Sequence, residues 1–247
     1  MENATTIGLS RLVAQSRELD VVAANVANAA TPGFRAERMI FSDFLVNAGS
    51  GALPGGERAL SYAADRSTYR DSSAGALAHT GNPLDLALTG DGFFTVETKN
   101  GPRLTRAGHF AIGANGQLVS EDGDAVLDTA GQPIQFGATD TQISIAGDGT
   151  VSSQNGQLGK IGVVAASDAT KLKAEGSHLL SAVDTATAPV PGPKVVQGAI
   201  EESNVQPALE MSRMIAVQRS FEMLVQFVQS EADRQQNAVQ RILQPAS

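Results

Sequence analysis

The chain of 247 residues contains no cysteine and no tryptophan, and aromatic residues make up only 4% of it. Without cysteine there is no disulfide, no thiolate nucleophile and no cysteine-ligated metal, and the compartment is left open. With so few aromatics, the cores must be built from Ala, Val, Leu and Ile. Cationic side chains are scarce too: 18 Lys and Arg face 26 Asp and Glu, a net charge of −8. Binding phosphate needs a cationic face, and no Lys/Arg cluster stands beside an aromatic run, so nucleic acid is excluded as a partner. No run of about 18 apolar residues exists to span a bilayer. The opening MENATTIGLSRL lacks a basic stretch followed by an apolar one and a small-residue cleavage site, so any export is expected to proceed without a cleaved signal peptide.

Catalytic patterns are equally sparse. His79, His109 and His178 are far apart in the sequence and sit among turn residues, with no HxxxH or HExxH spacing to hold a metal. Glu121-Asp122-Gly123-Asp124 with Asp128 fails the alternate-ligand spacing of a calcium loop and reads as a solvated turn. Gly90-Asp91-Gly92 is followed by neither Lys-Ser/Thr nor a helix, so it is no phosphate loop, and no Gly-x-Ser-x-Gly elbow is present. The expectation is a protein with no enzymatic site, no cofactor and no small-molecule substrate.

What the chain does have is a helical seam at each end. Leu12, Leu19 and Val26 stand seven apart, with Val22 and Ala29 on the same face of a helix over residues 6–29 that Asn3, Thr5 or Thr6 would cap. Met214, Phe221, Val228 and Ile242 repeat the pattern over residues 207–243. A 3.5-residue seam is the mark of helices that supercoil around a partner; an amphipathic helix lying on its own domain shows similar spacing. The first helix ends at Thr31-Pro32-Gly33-Phe34, where Pro32 disfavours helix at Thr31 and Gly33 permits a reversal. The last helix would extend roughly 55 Å at about 1.5 Å per residue, too long for one small β domain to bury, so its free faces are expected to meet other helices. Its Gln218, Gln226, Gln229, Gln235, Gln236 and Gln240 limit repulsion between identical copies.

Between the helices the period changes. Residues 35–45 read as a short extended or helical stretch, and residues 47–56 as a Gly/Pro-rich connector. From residue 82 short alternating segments are separated by Asn100-Gly101, Asn115-Gly116, Asp122-Gly123, Asp148-Gly149 and Asn155-Gly156, strong hairpin signals. Residues 185–193 read as a Pro-rich linker and residues 194–201 as one strand. The fold class is therefore α+β, with N- and C-terminal coiled-coil-like helices flanking a mainly antiparallel β domain. Its parts are an N-terminal helix (1–34), a connector or extended segment (35–81), a β-rich domain (82–183), a linker and return strand (184–204) and a C-terminal helix (205–247).

The strings VVAANVANAATPGF (residues 21–34) and IEESNVQPALEMSRMIAVQRSFE (residues 200–222) resemble the N- and C-terminal signatures of the bacterial flagellar axial proteins. NPLDLALTGDGFF (82–94) and LTRAGHFAIGANGQLV (104–119) resemble β-domain motifs of the longer rod proteins and the hook protein. Ala24 and Pro32 depart from residues common in the family. The opening MEN, IGLSR (7–11) and ERMIFSDFL (37–45) resemble the proximal rod branch more than the distal rod or the hook.

The resemblance implies a non-enzymatic subunit of the basal-body rod, the drive shaft between rotor and hook. It implies export through the flagellar type III apparatus, a periplasmic position, and partners that are other rod subunits and further copies of itself. It also implies subunit contacts at Leu12, Leu19, Val22, Asn25, Val26 and Asn28, then at Thr31, Gly33 and Phe34. In the C-terminal signature the implied contacts are Asn204, Glu210, Met211, Met214 and Val217, then Phe221, Leu224 and Val228. On this reading the isolated monomer is expected to have poorly protected terminal helices. A muralytic enzyme would need a carboxylate or zinc site that the sequence does not show, and a secreted coiled-coil binding module would carry a cleavable leader. Replacing His79, His109 and His178 together by Gln is expected to leave swimming on soft agar unchanged; paralysis by a folded triple variant would reveal a site that the sequence hides.

Overall fold

The computed structural model describes residues 2–47, 59–176 and 178–243. The chain divides into two compact units. Unit 1 comprises Met1–Val26, Glu37–Tyr69 and Pro207–Ser247; unit 2 comprises Ala27–Ala36 and Arg70–Gln206. Among the described residues no helix is long and apolar enough to cross a membrane.

Unit 1 is built from helix α1 (Glu2–Ala27), strands β1 (Glu37–Asn47) and β2 (Ala59–Arg70), which pair only with each other, and helix α2 (Pro207–Leu243). α1 begins at Glu2, so Asn3, Thr5 and Thr6 lie inside the helix instead of capping it. Residues 37–45 are strand throughout, resolving the extended-or-helical alternative. Of the connector, residues 48–58 lie outside those described, and its second half is β2, which the sequence reading had not assigned.

Unit 2 begins with β3 (Leu77–His79), β4 (Leu86–Leu88), β5 (Phe93–Thr98), β6 (Gly101–Thr105), β7 (Phe110–Ile112), β8 (Leu118–Ser120) and β9 (Ala125–Val126). It continues with β10 (Ser144–Ile145), β11 (Thr150–Ser153), β12 (Gly156–Lys160) and β13 (Val163–Ala166). Last come β14 (Lys173–Glu175), β15 (Leu179–Ser181), β16 (Thr187–Pro189), β17 (Val195–Gln197) and β18 (Ala199–Glu201). The largest sheet has nine strands, in the order β14-β15-β6-β5-β9-β8-β7, with β13 bridging β5 and β16. All described pairings are antiparallel. Five of the six Asn-Gly and Asp-Gly dipeptides join consecutive paired strands with the glycine at positive φ, Gly101 and Gly156 opening the second strand, the conformation that such turns demand; the sixth, Asp91-Gly92, stands between β4 and β5, which do not pair. The core gathers Leu86, Leu88, Phe94, Val96, Phe110 and Val195, with Phe94 and Phe110 edge to face at 5.3 Å.

The unit is wider than the 82–183 span read from the turns. β4 has no hairpin partner: it pairs with β17 more than a hundred residues later, and β3 pairs with β18. The expected single strand over 194–201 is broken into these two by Gly198, at φ 75°. Residues 185–193, read as a linker, instead contribute β16, an edge strand where Pro189 is tolerated. Leu86, Ala87 and Leu88 are all buried, because β4 is covered on both faces. A fragment of residues 82–183 is therefore expected to lack a cooperative urea transition, and one of residues 70–206 to regain it. Equal cooperativity of the two fragments, measured by circular dichroism, would show that β17 and β18 are dispensable.

Candidate functional site

Four contacts in unit 1 show how its helices meet. Gln15 Nε2 donates to Ser220 Oγ at 2.6 Å, Arg213 reaches Glu18 at 3.1 Å and Asn25 Nδ2 donates to Glu210 Oε2 at 3.3 Å. A Cβ added to Gly8 would lie 2.8 Å from Val228 Cγ2. As the residue number rises along α1 it falls along α2, so the helices run antiparallel and each supplies the other's missing face. The inward positions of α2 that follow are Glu210, Met214, Val217, Phe221, Leu224, Val228 and Glu231, all buried or half-buried and spaced alternately four and three apart. On α1 they are Gly8, Leu12, Gln15, Leu19, Val22 and Val26. The terminal helices, expected to close on each other and on neighbouring subunits, thus face each other within one chain. The side chain of Ile242 lies outside those described.

The seam ends in a buried polar cluster. Asn25, 0% exposed, accepts from the Glu37 N–H at 2.8 Å and donates to the Glu37 carbonyl at 2.9 Å, while its second amide hydrogen serves Glu210. Glu210, 1% exposed, also pairs with Arg38 at 2.5 Å. Both Nδ2 hydrogens and one acceptor position of Oδ1 are thus used inside the chain. Asn28 Oδ1 accepts from the Thr31 hydroxyl at 3.3 Å in the turn after α1.

The outward arc of α2 is different. Leu209, Met211, Ile215, Met223 and Phe227 are 57%, 53%, 51%, 64% and 49% exposed, and Leu9 and Val13 of α1 are likewise exposed. Of the expected contact residues only Met211 lies here. Counting the 4-3 spacing onward from Glu210 would have separated the arc from the seam in the sequence alone.

In unit 2, Gly33, Phe34 and Asn204 belong to a clasp centred on Glu201, which is 2% exposed. Glu201 Oε1 accepts from Arg35 at 3.2 Å and from the Gly75 N–H at 3.1 Å. Arg106 Nε lies 2.8 Å from Oε2, a charge contact without hydrogen-bond alignment. The other guanidinium nitrogens of Arg106 donate to the Gly92 and Gly90 carbonyls at 2.6 and 2.7 Å. Burial lowers the Arg106 pKa from its usual value, Glu201 opposes that shift and Arg35 adds to it; a guanidinium remains charged regardless. Asn204 Oδ1 accepts from the Ala36 N–H at 2.7 Å, and Nδ2 donates to the Ser73 carbonyl at 2.9 Å. Phe34, under the Arg70 guanidinium at 5.0 Å, packs with Ala36 and Val205. Gly33 has φ 70°, its N–H donates to the Glu201 carbonyl at 2.7 Å, and a Cβ there would come within 2.4 Å of the Arg106–Ala107 peptide. Nothing local in the sequence marks Glu201, Arg35 or Arg106, since their partners are distant.

The histidines are dispersed: His109 pairs with Asp85 at 2.8 Å and His178 with Asp122 at 2.9 Å. Among the described residues no group of three or more His, Asp or Glu is placed to hold a metal.

Asn25→Ala is expected to cost about 2–3 kcal/mol, because it leaves the Glu37 peptide and the Glu210 carboxylate short of partners in a buried site. Urea unfolding followed by helical circular dichroism checks this; a loss under about 0.5 kcal/mol, the level of an ordinary surface change, would mean that water replaces the amide.

Comparison with known proteins joins these features. Residues 6–35 match the flagella basal body rod protein family, residues 87–153 the D1 domain of the flagellar hook protein FlgE/F/G, and residues 196–241 the C-terminal region of the flagellar basal body rod FlgEFG proteins. The chain is 34% identical over 243 residues to the flagellar basal-body rod protein FlgF of Caulobacter vibrioides, covering 98% of both chains. To FlgF of Mesorhizobium japonicum it is 35% identical over 247 residues, again 98% of both. To the basal-body rod protein FlgG of Bacillus subtilis it is 34% identical over 238 residues, 87% of this chain and 89% of the relative. The chain belongs to the flagellar basal-body rod protein family, a non-enzymatic family of structural subunits, and resembles its FlgF members over nearly its whole length.

Proposed function

We propose that this rod subunit occupies the proximal rod and polymerises through the outward arc of its terminal helices, with the α1–α2 pair packing in coiled-coil fashion. The supporting observation is the arc itself. Five large apolar side chains on one helix, from Leu209 to Phe227, are each about half exposed or more. Full burial of such a side chain contributes on the order of 1.5–3 kcal/mol, so covering the remaining half of each contributes several kcal/mol per subunit. Scattered apolar residues need no explanation, but five large ones spread over the outer half of one helix mark a surface that becomes covered. The occupants are the same arcs of further copies and of other rod subunits. Met211 is kept from the contacts implied by the resemblance, while Leu19, Val22, Met214, Val217, Phe221, Leu224 and Val228 act one step earlier, by forming the helix pair that presents the arc.

The position is periplasmic and the route is the flagellar type III export apparatus. The FlgF-like opening, residues 7–11, and the ERMIFSDFL strand support the proximal assignment within the basal body.

Ile215→Asp combined with Phe227→Asp is expected to abolish rods and swimming while the purified chain keeps its helical circular dichroism. Phe221→Asp, inside the seam, is expected to lose helical signal as well as swimming. Normal swimming by the double arc variant would remove the arc as the assembly surface; helix loss by that variant would assign the arc to the monomer's own fold.

A further inference from the structure

Unit 2 hands the chain over to unit 1 at four places: before Ala27, after Ala36, before Arg70 and after Gln206. Inside unit 2, residues beside all four are tied together. Ala29 packs against the cluster of Phe34, Ala36 and Val205. The Asp71 N–H donates to the Ala36 carbonyl at 2.8 Å and the Glu202 N–H to the Ala76 carbonyl at 2.8 Å. Asn204 bonds Ala36 on one side and Ser73 on the other. Glu201 takes Arg35 and the Gly75 N–H, and through Arg106 the group is fixed to the glycine turn at the start of β5, at the carbonyls of Gly90 and Gly92.

Such density of directional bonds is not needed to fill a core, because the apolar core of the unit, around Phe94 and Phe110, is complete elsewhere. A buried carboxylate facing two guanidiniums adds little net stability over apolar packing, and its distinctive property is fixed geometry. We propose that the Glu201–Asn204 clasp is a mechanical joint: it locks the four chain passages at fixed spacing, so that a twist entering along any one of them turns unit 2 as a single piece. Glu201 and Asn204 are positioning residues here, and the load is carried through the peptide groups of Gly33, Ala36, Asp71 and Gly75. The inference rests on the rod assignment for the source of the load; the geometry of the clasp does not.

The test uses the full chain with Asn204→Ala. Hydrogen exchange of the Gly33, Ala36, Asp71 and Gly75 amides is expected to accelerate at least tenfold, while that of Val96 and Leu118 in the main sheet stays as in the parent. In a flagellated host lacking its own copy, the variant is expected to enter basal bodies in normal amount, yet its swimming speed should fall more steeply than the parent's as the medium is thickened with Ficoll. Equal acceleration in the clasp and the sheet would make the clasp an ordinary part of global stability, and unchanged clasp exchange would deny the lock; either overturns the proposal. Faster clasp exchange with a parental dependence of speed on viscosity would overturn the mechanical role alone. If Asn204→Ala stops rods from forming, Asn204→Asp, which keeps the acceptor for Ala36 and loses the donor to Ser73, goes through the same assays. Absence of rods with that variant also would mark Asn204 as an assembly residue and overturn the joint. A parent chain that failed to enter basal bodies would instead sink the rod reading.

Discussion

The two ends of this chain are each half of one structure. α1 has an inward face made of Gly8, Leu12, Leu19, Val22 and Val26, and α2 an inward face from Glu210 to Glu231; neither is covered by its own strand of sequence. Most helical stability in proteins comes from packing of an amphipathic face, so the pairing of residues some two hundred positions apart supports both. The approach at Gly8, where even one added carbon would collide with Val228, shows how closely the helices run. Polar contacts fix the register that apolar packing alone leaves loose: Gln15 with Ser220, Glu18 with Arg213, Asn25 with Glu210.

Unit 2 obeys the same rule of late closure. β4 waits for β17 and β3 for β18, and Val195 of β17 enters the main core. Glu201, at the end of β18, then brings a carboxylate between Arg35 and Arg106, two guanidiniums that would otherwise be buried side by side. Removing one partner from such a group leaves an uncompensated charge, far costlier than the net worth of the intact group. The segment from Val195 to Val205 therefore completes a sheet, a charge cluster and a small apolar cluster within a few residues.

Much of this was legible in the sequence, and the failures share one cause. Periodicity located both helices, and five of the six Asn-Gly and Asp-Gly dipeptides located hairpins, because these signals are local: the residues that cause the structure adjoin it. The 3.5-residue repeat reports that a partner helix exists and not which chain supplies it: helices that close on each other and helices that close on neighbouring subunits both fit it, and contacts such as Asn25 with Glu210 place one such pairing within the chain. The same limit hid the pairing of β4 with β17 and made residues 185–193 look like a linker when three of them form β16. Asn25 stands among the contacts that the resemblance implies, yet its partners Glu37 and Glu210 could be named only with coordinates. Glu201 and Arg106 carried no signal: an isolated charge in a short strand looks solvated until two distant arginines are found beside it.

With the seam satisfied internally, the order of events follows from mass action. Helices tethered to the same chain meet at an effective concentration set by that tether, in the millimolar range for short flexible links and independent of how many molecules surround them. In the assembly proposed above, the exposed Ile215, Met223 and Phe227 would have no such tether and would make contacts only where copies are gathered. A net charge of −8 opposes encounter between free copies, whereas the glutamines interspersed on the same arc, Gln218 and Gln226 among them, add no repulsion once copies are side by side. Pairing of α1 with α2 is thus concentration-independent and would come first in the proposed assembly, with the arc engaging second. Placing the 4-3 seam and the exposed arc on opposite sides of α2 lets one helix serve both steps, and a residue's side of the helix decides whether its loss is felt as unfolding or as failed assembly.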